Sequence, residues 1–134
     1  MAADIHITVW GDADECLLLI HGGNTADPDT IWEEQRVLAA QYRILVPHRR
    51  GYGHSPLRGP DWTYQEDVAD LLPLLGEGVH LVGLSYGGIV SLLLAGARPD
   101  LVRSLTIIES PVFTLADDDP QVARLIAALT PVYA

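Results

Sequence analysis

Residues 79–88 read V-H-L-V-G-L-S-Y-G-G, and they decide the fold. Val79 to Leu84 is a short, mainly apolar run, the pattern of a strand buried on both faces of a parallel sheet. Gly87 to Ala97 follows it, apolar nearly all round, which predicts a buried helix. Between the two lies Gly83-Leu84-Ser85-Tyr86-Gly87, a G-x-S-x-G sequence in the strand-turn-helix setting of a nucleophile elbow. A turn this tight strains the serine backbone and needs small residues two positions to either side, which Gly83 and Gly87 supply. It lifts the Ser85 hydroxyl above the sheet, and the start of the helix favours a developing oxyanion. The competing reading is an ordinary turn with incidental glycines, and the neighbouring loops weigh against it.

Outward from this centre, apolar runs alternate with helical segments. Downstream, Leu105 to Ile108 (L-T-I-I) reads as a buried strand, and Asp119-Pro120 as the N-cap and first turn of a helix. That helix carries an apolar stripe of Val122, Leu125, Ile126 and Leu129. Upstream, Tyr64 to Leu75 repeats Val68, Leu71, Leu72 and Leu75 at helical spacing, with Pro73 predicting a kink or an early end. Arg43 to Val46 and Cys16 to Ile20 read as buried strands, Ile31 to Gln41 as a helix, and Ile5 to Trp10 as an alternating strand. Such alternation implies right-handed crossovers, a mostly parallel sheet and helices on both faces, the α/β class. Ligands of such sheets bind beyond the carboxyl ends of the strands. That rule selects the loops beginning at His21, His48, Ser85 and Glu109.

Two of those loops carry further signals. His21-Gly22-Gly23 ends a buried strand, and its flexible backbone is able to aim an N–H at the carbon Ser85 would attack. With the Tyr86 N–H, the Gly23 N–H would complete an oxyanion hole. The loop from His48 contains R-R-G-Y-G-H-S at 49–55. A dinucleotide fingerprint there needs glycine at position 56, and Pro56 excludes it. Arg49 or Arg50 is expected to pair with nearby carboxylates or carbonyls.

Composition removes whole classes of function. The net charge is −10 over 134 residues, opposite in sign to a nucleic-acid-binding surface and unsuited to docking on an anionic membrane. All 8 basic residues are arginine. Schiff-base lysines, the P-loop lysine and Ser-Lys dyads are therefore absent. A single cysteine, Cys16, excludes an internal disulfide and a Cys-rich zinc site, and its place in a buried strand makes it core. No apolar run reaches the roughly 20 residues of a membrane span, and the N-terminus lacks the pattern of a secretory signal, so the expected location is cytoplasmic.

The chain resembles the α/β-hydrolase fold superfamily, in its soluble branch of esterases, dehalogenases and haloperoxidases. The resemblance rests on H-G-G at 21–23, P-H-R-R-G-Y-G-H-S at 47–55, the elbow at 81–88 and R-P-D-L-V-R-S-L-T-I-I-E at 98–109. It covers the whole chain. It implies a serine hydrolase in which Ser85 attacks an ester-like carbonyl of a small-molecule substrate, the amides of Gly23 and Tyr86 bind the oxyanion, and no cofactor or metal takes part. His48 stands where the family usually has Asp, and Leu84 where His is frequent.

In the family, the order of functional residues is nucleophile, acid, then histidine. No histidine follows Ser85. The expectation is that residues 1–134 form the N-terminal part of such a domain, with a lid region beginning at about residue 115. A complementing C-terminal half would then supply the histidine, or the chain would self-associate through the open edge at Leu105 to Ile108. The rival reading is a non-catalytic hydrolase-like fragment or binding domain. Among the present histidines, His80 starts its strand at the wrong end, well over about 10 Å from Ser85 at 3.3 Å per residue. His6 reads as structural. His21, by the resemblance, braces the oxyanion loop, which leaves His48 and His54 as the alternatives at the correct edge. Glu109 ends a strand where a subset resembling haloalkane dehalogenases carries the triad acid; otherwise it caps a loop or binds an arginine. Asp117, Asp118 and Asp119 read as helix N-terminal acids. Trp10 and Trp62 are expected in packing, and Trp32 there or in a pocket wall.

Overall fold

A computed structural model describes residues 4–133, and it places nine regular elements in an α/β arrangement. They are β1 (Ile7–Trp10), β2 (Cys16–Ile20), α1 (Pro28–Ile31), β3 (Arg43–Pro47), α2 (Tyr64–Leu71), β4 (Val79–Leu84), α3 (Tyr86–Ala97), β5 (Val102–Ile108) and α4 (Pro120–Tyr133). The sheet has the order β1-β3-β2-β4-β5. The four strands from β2 to β5 are parallel, and β1 runs antiparallel along the outside of β3. The carboxyl ends of β2, β3, β4 and β5 therefore lie along one rim, and the loops that follow them meet there.

Strand alternation divides the sheet between two cores. Leu18, Ile20 and Leu81 face one side, where Leu71 at the end of α2, Leu75, and Val90 and Leu94 of α3 cover them. Leu17, Leu19, Ile44 and Val46 face the other, packed on Trp10 and Trp32. Leu18, Ile20, Ile44 and Leu81 are wholly buried, as a two-sided sheet requires. Helices thus occupy both faces. Asp27 caps α1 through its side chain, with Pro28 at the first helical position. Thr63 and Glu66 form a capping box at the start of α2. Asp119 accepts hydrogen bonds from the Gln121 and Val122 amides at the start of α4, as its sequence implied.

The structure corrects several expectations. The helix expected over 31–41 is instead the short α1 followed by a 3-10 helix, Glu33–Ala40. Trp32 anchors the junction in the core, and no residue of the 3-10 segment is buried, so packing gives it little reason to hold α-geometry. Trp32 therefore lies in the core and not in a pocket wall. Pro73 does end α2 early: after Leu71 the chain tightens into a 3-10 turn, Leu72–Leu75. Strand β1 begins at Ile7, opposite Pro47, and the His48 amide still donates to His6 O at 2.8 Å just beyond the ladder. Helix α3 is buried only on the face bearing Gly87, Gly88, Val90, Ser91 and Leu94; Leu92 and Leu93 are exposed. Strand β5 is longer than the L-T-I-I run and largely exposed, since among the described residues β4 is its only partner. The open sheet edge expected at Leu105 to Ile108 is present.

Candidate active site

Ser85 joins β4 to α3 with φ 53° and ψ −121°, a conformation that costs a non-glycine residue about 1–3 kcal/mol. The neighbouring glycines make room for it. A Cβ on Gly83 would lie 2.5 Å from the Gly87 carbonyl and 2.6 Å from the Gly88 Cα. One on Gly87 would meet the carbonyls of Ile20 and His21. The turn is anchored by the adjacent strand: the Ser85 amide donates to Ile108 O at 2.8 Å, and Ser110 Oγ donates to Ser85 O at 3.0 Å. Ser110 carries no motif, and only the pairing of β4 with β5 reveals it.

The His21–Gly23 loop packs against this turn. A Cβ on Gly22 would come within 3.1 Å of Ser85 Cβ. Beside them opens a cavity of about 620 Å³, whose wall includes Gly23, Ser85 and Tyr86. The three residues singled out in the sequence for attack and oxyanion binding thus meet at one surface. Tyr86 is the first residue of α3, so its N–H lacks an intrahelical partner. The Gly23 N–H has no hydrogen-bond acceptor among the described residues. The remaining wall, which sequence reading did not assemble, includes Asn24, Tyr64, Phe113, Ile126 and Leu129. Tyr64 and Tyr86 stack at 4.6 Å between centroids and 18° between planes. Among the described residues the cavity wall carries no charged side chain.

Behind the wall lies a buried polar network. Arg49 is 2% exposed and Asp67 1%. Arg49 Nη1 reaches Asp67 Oδ2 at 3.3 Å, while Nε and Nη2 donate to the carbonyls of His21 and Gly22 at 3.3 and 2.9 Å. The Tyr86 hydroxyl donates to the same Asp67 oxygen at 2.6 Å. Burial, then the Asp67 carboxylate, push the Tyr86 phenol well above its usual range. Arg50 pairs separately with Asp70 at 2.8 Å. Both arginines therefore do what the sequence suggested. Asp67 was missed, although it lies four residues before Leu71 on the buried face of α2.

No histidine makes a hydrogen bond to the Ser85 hydroxyl among the described residues. His21 Nε2 accepts from the Arg49 amide at 3.1 Å, so its Nδ1 carries the proton and donates to Gly22 O at 2.7 Å. Burial, and then the Arg49 charge, lower its pKa to about 3. His48 is wholly buried; its Nδ1 accepts from the His54 amide at 3.2 Å and its Nε2 donates to Asp29 at 3.0 Å. His54 packs against the rings of His6 and His48. His80 bonds Ser104 at the far end of β4. Asp27, Asp29 and His48 gather closely enough to suggest a cation site. The Nε2 of His48 needs a free lone pair for that, and its proton already occupies the position. Glu109 is exposed just after β5 with φ 48°, and among the described residues it has neither an arginine pair nor a capping bond. Cys16 is buried in the core, where desolvation raises its thiol pKa.

Comparison with known proteins follows the same lines. A family model described as the alpha/beta hydrolase fold matches residues 16–133. Lipase LipV of Mycobacterium tuberculosis is 34% identical over 96% of this chain and 49% of its own length. Pimeloyl-[acyl-carrier protein] methyl ester esterase of Aeromonas hydrophila is 35% identical over 84% of this chain and 44% of its own. Among solved structures, a thioesterase domain from the curacin biosynthetic pathway superposes with a TM-score of 0.72 at 27% identity, covering 80% of this chain and 41% of the other. A thermophilic esterase from Thermogutta terrifontis gives 0.71 at 26% identity, covering 91% and 47%. The chain spans about half the length of these relatives.

Proposed function

This chain belongs to the alpha/beta hydrolase fold family, and from that premise we propose that it carries the nucleophile and oxyanion hole of a serine hydrolase acting on esters. Ser85 Oγ attacks the carbonyl carbon, and the C=O π electrons move onto oxygen. The N–H groups of Gly23 and Tyr86 hold that oxyanion; its electrons then re-form C=O as the ester C–O bond breaks, the alkoxide leaves with the proton taken from Ser85, and water hydrolyses the acyl-serine to the acid. The observation that carries this reading is the strained Ser85 backbone, held between two glycines at the mouth of the cavity. The uncharged, partly aromatic wall favours an ester with neutral, apolar substituents.

A serine hydroxyl needs a base to take its proton. The ring nitrogens of His21 and His48 are engaged elsewhere, and His54 packs on His6 and His48 and does not line the cavity beside Ser85. We therefore assign that role to a segment outside residues 4–133, and read residues from about 115 onward as the start of a lid. Glu109, at the rim beside Ser110, is kept as the acid that would orient such a base. The test is labelling with a fluorophosphonate and mapping of the adduct by mass spectrometry. The adduct is expected on Ser85 and absent from Ser85→Ala. A stable adduct elsewhere that survives this substitution overturns the assignment.

The lack of a hydrogen-bonded base favours one rival, a hydrolase-like domain that binds its ligand without turning it over. Saturable binding of p-nitrophenyl esters would identify it, provided no Ser85-dependent hydrolysis follows when the remaining half is supplied as a second polypeptide.

A further inference from the structure

We propose that Arg49 is a positioning residue that sets the distance between the two oxyanion-binding amides. The inference rests on the serine-hydrolase reading above and adds a part to it. The two amides come from different elements. Gly23 sits on the loop after β2, and Tyr86 begins the helix after β4. One side chain touches both supports. The Arg49 guanidinium donates to the carbonyls of His21 and Gly22, the two residues that lead into Gly23. Its other end meets Asp67, which also accepts the Tyr86 hydroxyl. Its carbon centre lies 4.3 Å above the Tyr86 ring and 4.7 Å above that of Tyr52.

Arginine suits this place for a physical reason. Its planar fork donates in several fixed directions at once and stacks on aromatic faces, whereas a lysine ammonium is a compact point charge on a flexible stem. The carbonyls it holds belong to a glycine-containing loop that would otherwise be free to turn its amides elsewhere. The cation is also held in a dry site, with Asp67 as its counter-charge. The backbone amide of Arg49 donates to His21 Nε2, so the same residue also fixes the ring that braces Gly22 O. The loop is thus held from two directions by one residue.

The experiment measures fluorophosphonate labelling of Ser85 in the whole chain supplied with the remaining half as a second polypeptide, separating the limiting rate at saturation from the probe concentration giving half that rate. Arg49→Ala leaves the buried Asp67 carboxylate without its counter-charge, so Arg49→Met combined with Asp67→Asn is the second variant, and circular dichroism checks the fold of each. The expected result is a limiting rate lowered by about 100-fold, the scale of losing one oxyanion donor, with the half-saturating concentration unchanged. Arg49→Lys should recover little of the rate, while added guanidinium at sub-denaturing concentration should recover part of it in Arg49→Ala. A folded variant that labels at the parent's limiting rate overturns the proposal. So does a loss in which rate and half-saturation change in step with melting temperature. Failure of the parent chain to label at Ser85 with the remaining half present is a different result and overturns the serine-hydrolase reading itself.

Discussion

Ser85 is held by its surroundings in a conformation its own side chain resists, and the stability of substitutions there should show it. Ser85→Gly is expected to unfold at a higher temperature than Ser85→Ala, by the equivalent of about 1 kcal/mol or more, because alanine keeps the Cβ that makes a positive φ costly. Thermal denaturation of the two variants decides it; equal melting temperatures would remove strain from the account. Gly83→Ala should cost about 1–3 kcal/mol or more, since the new methyl meets backbone atoms that cannot step aside. His21 supplies the clearest pH dependence. Folded, it resists protonation until about pH 3, whereas an unfolded histidine takes a proton near its ordinary value of about 6.5. Between those limits the unfolded chain binds the extra proton, so stability falls as pH is lowered from about 6.5. Melting curves between neutral and mildly acidic pH should show that decline, and His21→Asn should flatten it.

At the level of elements, α2 and β5 offer contrasting tests. The capping box at Thr63 satisfies free amides at the start of α2, and Thr63→Ala is expected to cost about 1 kcal/mol in denaturant titration. Among the described residues strand β5 has one unpaired edge, together with partly exposed Leu105 and Ile108. Edges of this kind template pairing with other strands. Size-exclusion with light scattering should therefore find association rising with concentration, reduced by Leu105→Lys; a monomer at all concentrations would contradict it. The elements also show where sequence patterns carry information. Cys16–Ile20 and Val79–Leu84 were legible because central parallel strands are continuous apolar runs. Gly83, Ser85 and Gly87 were legible because a tight turn restricts residue type at fixed spacing. The segment 33–40 was not, since an amphipathic pattern without a buried face does not distinguish an α-helix from 3-10 turns. The partnership of Arg49, Asp67 and Tyr86 was not either, because it joins three loops and helices separated by 18 and 19 residues. Tertiary packing alone brings them together.

Taken whole, the molecule places Ser85, the proposed nucleophile, two backbone amides and a cavity without charged lining among the described residues on one rim of a sheet, in a family whose compared members are about twice as long. Hydrolysis of p-nitrophenyl acetate should accordingly be feeble for residues 1–134 alone, and should become Ser85-dependent and rapid when the other half of such a fold is added. Losing a triad member leaves roughly 10³–10⁴-fold acceleration over water, which bounds the residual activity. Ordinary enzymatic turnover by the chain alone would place the base among its own five histidines. The anchoring of Ser85 to Ile108 and Ser110 has a consequence for motion. Local opening in a folded protein follows its weakest cooperative unit, and an outermost strand belongs to that class. The Ser85 amide, though it sits at the end of an interior strand, should therefore exchange its hydrogen for deuterium at the pace of β5 and not at that of β4. A strand-forming peptide laid along β5 should slow that exchange, so the rigidity of Ser85 is governed from the margin of the sheet.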